Sequence, residues 1–259
     1  ILDPKTSEER SKLDTIYQDG TKGVSMEAYG KIVVSPAKGQ VIEMKCISIK
    51  ILGKVDASEY PIAKSKLKLD TIRQHLHLRP RTKTIAAVSR VRNACSMATH
   101  QFYQSHGFQY VHTPILTGND CEGAGETLQI SNTLGTGEVE KKPFFGKPVN
   151  LTVSGQLHGE TYATALGDVY TFGPTFRAED SHTTRHLAEF WMIEPELCFI
   201  NFETLIDLAE DYLKFCVDYC LDKCHDEIEF FTKHYQPSLK EDLVKLSSTP
   251  FIRMTYKEV

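Results

Sequence analysis

Val169-Tyr-Thr-Phe-Gly-Pro-Thr-Phe-Arg177-Ala-Glu179-Asp180 leads through Ser181-His-Thr-Thr-Arg185-His186 into Leu187-Ala-Glu-Phe190-Trp-Met-Ile-Glu194. Two β-rich runs flank a polar segment, a pattern that predicts an antiparallel hairpin with a long charged loop. Arg177 and Glu179 lie two residues apart on the outgoing strand and so share a face. On the returning strand His186, Phe190 and Glu194 stand at even spacings and share one too. A guanidinium that pairs with phosphate in bidentate fashion and a ring that stacks on a base suit a nucleotide site. An ion pair on a solvated hairpin fits the same residue types.

Composition bounds what surrounds this stretch. The chain has 259 residues, 41% of them hydrophobic, enough for a sizeable core and one or two domains. No apolar run approaches the roughly 20 residues of a membrane span and no signal peptide is visible, so no membrane partner is expected and a cytoplasmic location is. Seven cysteines without a regular framework predict free thiols. Cys216, Cys220 and Cys224, with His225 beside the last, recur every four residues and could be drawn as metal ligands. Their apolar neighbours Tyr212, Leu213, Phe215, Val217 and Tyr219 favour buried helix-face thiols instead, and no metal site is expected. Asn150-Leu-Thr152 is a sequon in a strand-like run and is discounted. The net charge of −4 gives no sign of nucleic-acid binding. Its distribution is uneven: between Ala63 and Arg92 nine lysines and arginines face one acid, Asp70. That stretch is a solvated linker or a phosphate-facing hinge.

Upstream, Ser7–Tyr17 predicts a short helix, and Val24–Gly30 and Gln40–Lys54 predict strands joined by a turn at Ser35-Pro36-Ala37-Lys38-Gly39. Thr84–His106 carries Ile85, Val88, Val91, Cys95, Ala98 and Phe102 at spacings of three and four, an amphipathic helix that Gly107 ends. Phe108–Leu116 reads as a strand broken by Pro114, at an edge or an interface. Asp120–Glu126 is a glycine-rich acidic turn, Ser131–Lys142 a flexible excursion and Phe144–Thr152 a strand. A helix is expected at Thr161–Leu166, and another starts at Asn201. Near the end a helix is expected at Leu239–Leu246 and a strand at Ile252–Tyr256.

The wording Phe176-Arg177-Ala178-Glu179, a loop, then His186-x-x-x-Phe190 resembles motif 2 of the class II aminoacyl-tRNA synthetases, in their aspartyl, asparaginyl and lysyl subgroup. The whole stretch is most similar to the asparaginyl members, and the resemblance extends from about Val24 to the C-terminus. It implies an α+β fold: an antiparallel sheet flanked by helices over residues 84–259, a basic hinge at 63–83, and a partial OB-fold β-barrel for the anticodon over 1–62. Thr84–Leu116 resembles motif 1, which would build a homodimer interface including Pro114. The resemblance also implies a chain that lacks the early barrel strands and the third motif, so that this fragment alone would be inactive.

The reaction so implied ligates L-asparagine to tRNA(Asn) through an adenylate, using ATP and Mg2+, with most metal ligands outside this chain. Arg177 would bridge the amino-acid carboxylate and the α-phosphate as the catalytic group. Arg185 and His186 would address the outer phosphates, Glu179 the nucleotide, Phe190 the adenine face and the Leu187 backbone its edge. Glu122 would bind the α-ammonium from a loop that closes over the amino acid, with Ser154, Gln156 and Glu194 in the same pocket. A lysine stands at the position of Gly159 in the aspartyl enzymes; here Glu160 follows, and a carboxylate accepts from a carboxamide while repelling aspartate. Glu160 as an ordinary exposed residue at a helix start remains the alternative. Two other readings stay open: an ATP-dependent asparagine synthetase on the same fold, and a truncated, non-catalytic tRNA-binding module.

Overall fold

The computed structural model describes residues 14, 16–62, 67–123, 127–130, 144–179, 183 and 186–259, the side chain of Glu122 excepted. Residues 14 and 16–19 are helical; the rest of the helix expected over Ser7–Tyr17 lies outside the described residues, as does the excursion expected at Ser131–Lys142. The chain divides into two units, Ile1–Ala87 and Val88–Val259.

In the first unit β1 (Ser25–Val34) and β2 (Ile42–Gly53) pair antiparallel as a two-stranded ribbon, with a register shift at Tyr29/Gly30. Ser35 ties the turn: its hydroxyl accepts from the Ala37 amide at 3.1 Å and its own amide donates to the Val41 carbonyl at 3.0 Å. A ribbon this thin buries neither face, and Tyr29, Ile32, Val34, Val41, Ile42, Ile47 and Leu52 are exposed. The described part of the basic stretch, from residue 67 on, includes local structure. It holds α1 (Leu69–Arg73), which buries Ile72, and a tight turn at Arg79–Arg81.

The second unit is built on a three-stranded sheet. Helix α2 (Lys83–Ser105) ends where Gly107 takes a φ of +85°, a left-handed turn that returns the chain along the sheet. β3 (Gln109–Tyr110) runs parallel to β6 (Val169–Phe176), and β6 pairs antiparallel with β7 (Glu189–Glu196) from Val169↔Glu196 to Phe176↔Glu189. One face of this sheet is apolar. Tyr170, Phe172 and Ile193 pack on Phe102, Tyr103, Tyr212 and Phe215 from α2 and α4 (Phe202–Lys223). Tyr103 stacks on Tyr170 at 4.8 Å between centroids. Burying each such ring contributes about 1.5–3 kcal/mol. The buried stripe of α2 runs through Ala94, Ala98, Phe102 and Tyr103, while Val88, expected in it, is exposed.

The expected hairpin is present, but its strands are shorter than the sequence suggests. β6 stops at Phe176 and β7 begins at Glu189, so Arg177, Glu179 and His186 lie just beyond the ladder. The broken strand at Phe108–Leu116 splits between sheets: β3 joins β6, whereas β4 (Leu116–Thr117) pairs with β5 (Asn150–Leu151). Pro114, which has no N–H to give a ladder, sits exposed between them. Of the strand expected over Phe144–Thr152 only β5 forms, and Phe144 and Phe145 are exposed.

After β7 the chain turns through Phe199, whose φ of 59° is left-handed, and Asn201 caps α4 by accepting from the Thr204 amide at 2.9 Å. α5 (His225–His234) and α6 (Leu239–Ser248) follow and place Ile228 and Leu243 against Ala94 and Cys220. Residues 252–256 form no strand. Arg253 instead reaches Asp207 at 2.5 Å and Glu210 at 3.2 Å, and the Phe251 amide donates to Glu210 at 3.0 Å, fastening the segment to α4.

Candidate active site

The second face of the β6–β7 sheet is polar and is approached by α3 (Gln156–Leu166). This helix contains the Thr161–Leu166 expected from the pattern and begins one and a half turns earlier, so Gln156 and Glu160 ride on its first turns. Gly155, Gly159 and Ala163 recur every four residues and put bare backbone against the strands. A Cβ on Gly155 would lie 2.8 Å from Thr113 Oγ1, 3.0 Å from Thr171 Oγ1 and 3.1 Å from Glu194 Oε2. A Cβ on Gly159 would lie 3.1 Å from Glu196 Cγ. Ala163 completes the contact against Val169 and Val111.

That close approach fixes Glu194. Its Oε2 accepts from the Gly155 amide at 2.9 Å and the Thr171 hydroxyl at 3.0 Å, and its Oε1 accepts from Ser154. The positive end of α3 adds to the hold on the carboxylate. Ser154 is buried, while Glu160 is exposed and accepts from Gln156 Nε2 at 3.0 Å across one helical turn. Cys121, in a short helical turn at Cys121–Gly123, approaches Gln156 Oε1 with its sulfur at 3.9 Å, so the start of the glycine-rich acidic turn lies against α3.

Further along the same face the register aligns Thr171 with Glu194, Gly173 with Met192 and Thr175 with Phe190. The Arg177 amide continues the series to the Ala188 carbonyl at 3.1 Å. The Arg177 guanidinium carbon lies 5.6 Å from the Phe190 ring centroid and Nη2 is 4.0 Å from Met192 Sδ. Beyond the strand ends, His186 Nε2 is 3.9 Å from Glu179 Oε2, and His186 Nδ1 bonds the Thr183 hydroxyl. The Leu187 side chain is exposed. Arg185 and the side chain of Glu122 lie outside the described residues.

Thr171, Thr113 and Glu196 join this site beyond the residues expected from the sequence. Glu196 stands two residues beyond Glu194 on the same face, opposite Val169, a spacing that would have marked it. Burial, then the carboxylates of Glu160 and Glu194, push Glu196 up to about 7. Among the described residues no group of three or more His, Cys, Asp or Glu side chains is arranged to hold a metal ion. The face thus offers a rigid carboxylate ringed by hydroxyls, a second carboxylate on an adjoining helix, and a cation beside an aromatic ring. A fixed carboxylate, hydroxyls and a cation in this arrangement suit alignment and charge neutralisation.

A family model described as tRNA synthetases class II (D, K and N) matches residues 68–259. The asparagine–tRNA ligase of Protochlamydia amoebophila is 51% identical over 252 residues, covering 94% of this chain and 54% of its own. That of Treponema denticola is 48% identical, covering 95% of this chain and 55% of its own. The chain spans about half the length of the curated relatives it matches. Its fold is similar to that of the Pyrococcus horikoshii asparaginyl-tRNA synthetase complexed with asparaginyl-adenylate, with a TM-score of 0.78 at 24% identity over 95% of this chain and 53% of the other. The Entamoeba histolytica enzyme in complex with the same adenylate gives 0.75 at 24% identity over 94% and 52%.

Proposed function

The chain belongs to the class II tRNA synthetases of the D, K and N group, and from that membership we propose that the protein activates L-asparagine with ATP and ligates it to tRNA(Asn). The observation that carries this reading is Glu194, immobilised by Ser154, Gly155 and Thr171 on the sheet face that also bears Arg177 and Phe190. The relatives named asparagine–tRNA ligase and the fold neighbours solved with asparaginyl-adenylate support it.

In the first step an amino-acid carboxylate oxygen attacks the α-phosphorus of ATP in line, and the bond to pyrophosphate breaks. Arg177 spans the attacking carboxylate and the α-phosphate and offsets the charge that develops between them. Phe190 stacks on adenine, the Leu187 backbone reads its edge, and Glu179 fixes the nucleotide. Arg185 and His186 meet the outer phosphates. Glu122, Ser154 and Gln156 hold the α-ammonium end of the amino acid. Glu160 and Glu194 meet its side chain, where acceptor oxygens suit a carboxamide NH2 and repel a carboxylate. Mg2+ in the family's reaction neutralises phosphate charge. Among the described residues no cluster of three or more His, Cys, Asp or Glu side chains is arranged to hold it.

In the second step the terminal ribose hydroxyl of tRNA takes the asparaginyl group. The β1–β2 ribbon belongs to an OB-fold that reads the anticodon, and the basic stretch beside α1 meets tRNA phosphates. The protein pairs with a second copy through α2 and the segment holding Pro114, and it works in the cytoplasm. Among the described residues no helix is long and apolar enough to cross a membrane.

The test is asparagine-dependent ATP–pyrophosphate exchange, followed by aminoacylation, on the full-length protein. Arg177→Ala lowers exchange by about 10²-fold or more with the fold intact. Exchange driven by aspartate, or unchanged in Arg177→Ala, overturns the reading. Asparagine made from aspartate and ammonia without tRNA would identify a synthetase of the free amino acid instead.

A further inference from the structure

Away from this face, four thiols gather where α2 passes α4. Cys95 lies on α2, Cys216 and Cys220 on α4, and Cys224 where α4 gives way to α5. The sulfurs of Cys95 and Cys220 are 3.4 Å apart, close to van der Waals contact, although the residues are 125 positions apart in sequence. Cys220 and Cys224 are buried, whereas Cys95 is partly accessible. Packing alone does not require sulfur to face sulfur here, since Ala94, Val91, Tyr219 and Leu221 already supply the apolar contacts of this cluster.

We propose that Cys95 and Cys220 form a redox-convertible pair, closing an α2–α4 disulfide when the protein meets a peroxide. Cys95 is the first to react because it is the more accessible sulfur and carries the lower thiol pKa. The Cys220 S–H donating to it holds Cys95 down to about 7 against an ordinary 9.0, whereas that hydrogen bond, burial and the neighbouring sulfurs raise Cys220. The Cys95 thiolate attacks one peroxide oxygen, the O–O bond breaks, and hydroxide leaves to be protonated to water, giving a sulfenic acid. The Cys220 sulfur then attacks the Cys95 sulfur, the S–O bond breaks, and the departing oxygen leaves as water with the thiol proton. Two thiols are oxidised by two electrons and one peroxide is reduced to two waters.

The bond would join the two helices that back the candidate active site. Its loop encloses β6 and β7, so oxidation raises the unfolding temperature and is reversed by dithiothreitol. None of the residues assigned to substrate is consumed.

The experiment treats the full-length protein with hydrogen peroxide, alkylates the remaining thiols and maps the peptides by mass. The expected result is a Cys95–Cys220 peptide two hydrogens lighter than its halves, formed faster at pH 8 than at pH 6. In Cys220→Ser, and in Cys220→Ala in case serine unfolds the helix pair, dimedone labels Cys95 as its sulfenic acid. A chain in which Cys95 and Cys220 both remain alkylatable overturns the proposal. So do links made chiefly through Cys216 or Cys224, and links made only between two molecules.

Discussion

Glu196 shows how much a single carboxylate can depend on its neighbours. Its pKa rises from 4.5 to about 7 because burial comes first and two further carboxylates, Glu160 and Glu194, follow. Below about pH 4.5 it is protonated in both folded and unfolded chains and brings no penalty. As pH rises through 7 the unfolded chain releases this proton first, so stability falls across that window. Solvent screening of a partly exposed group limits the effect to the order of 1 kcal/mol. Denaturant titrations at pH 5 and pH 8 should therefore show the wild type losing about that much more stability than Glu196→Gln. A Glu196→Gln variant with the same pH slope as wild type would remove Glu196 as the cause. At this scale the sequence made the shared face of Phe190 and Glu194 legible, because even spacing on a strand is visible in the string. It could not show that Gly155 and Thr171 hold Glu194, since those contacts depend on how near α3 lies to the sheet.

Among the elements, α2, α4 and the β6–β7 hairpin were readable from apolar period and turn residues. α5 was not, because it follows α4 after the single non-helical Cys224 and leaves no break in composition. The strand expected at Ile252–Tyr256 had the right β-branched and aromatic residues but pairs with no strand among the described residues, and ion pairs fasten it to α4 instead. Asn201 is the opposite case, a helix start visible in the sequence and found in place. Asn201→Ala leaves the Thr204 amide of α4 without its side-chain acceptor and should cost about 1 kcal/mol in chemical denaturation. The same variant should speed amide exchange in residues 202–205, and a denaturation midpoint equal to wild type would show that water replaces the cap without loss.

At the level of the whole molecule, the second unit fills its core with the aromatic layer between sheet and helices, whereas the ribbon of the first unit keeps its apolar side chains in water. Composition announced neither outcome, since burial is set by how many layers the topology stacks. Among the described residues β1 and β2 pair only with each other, so each has an outer rim that no further strand covers. This chain in isolation should show light scattering that grows with concentration, and Ile47→Lys should suppress it; scattering independent of concentration would mean the rims are inert. A ribbon with two open rims is also a template without a stop. Each molecule that docks on one rim exposes another just like it, a head-to-tail geometry that lengthens into fibres instead of closing into rings. Shielding those rims is therefore a matter of shelf life.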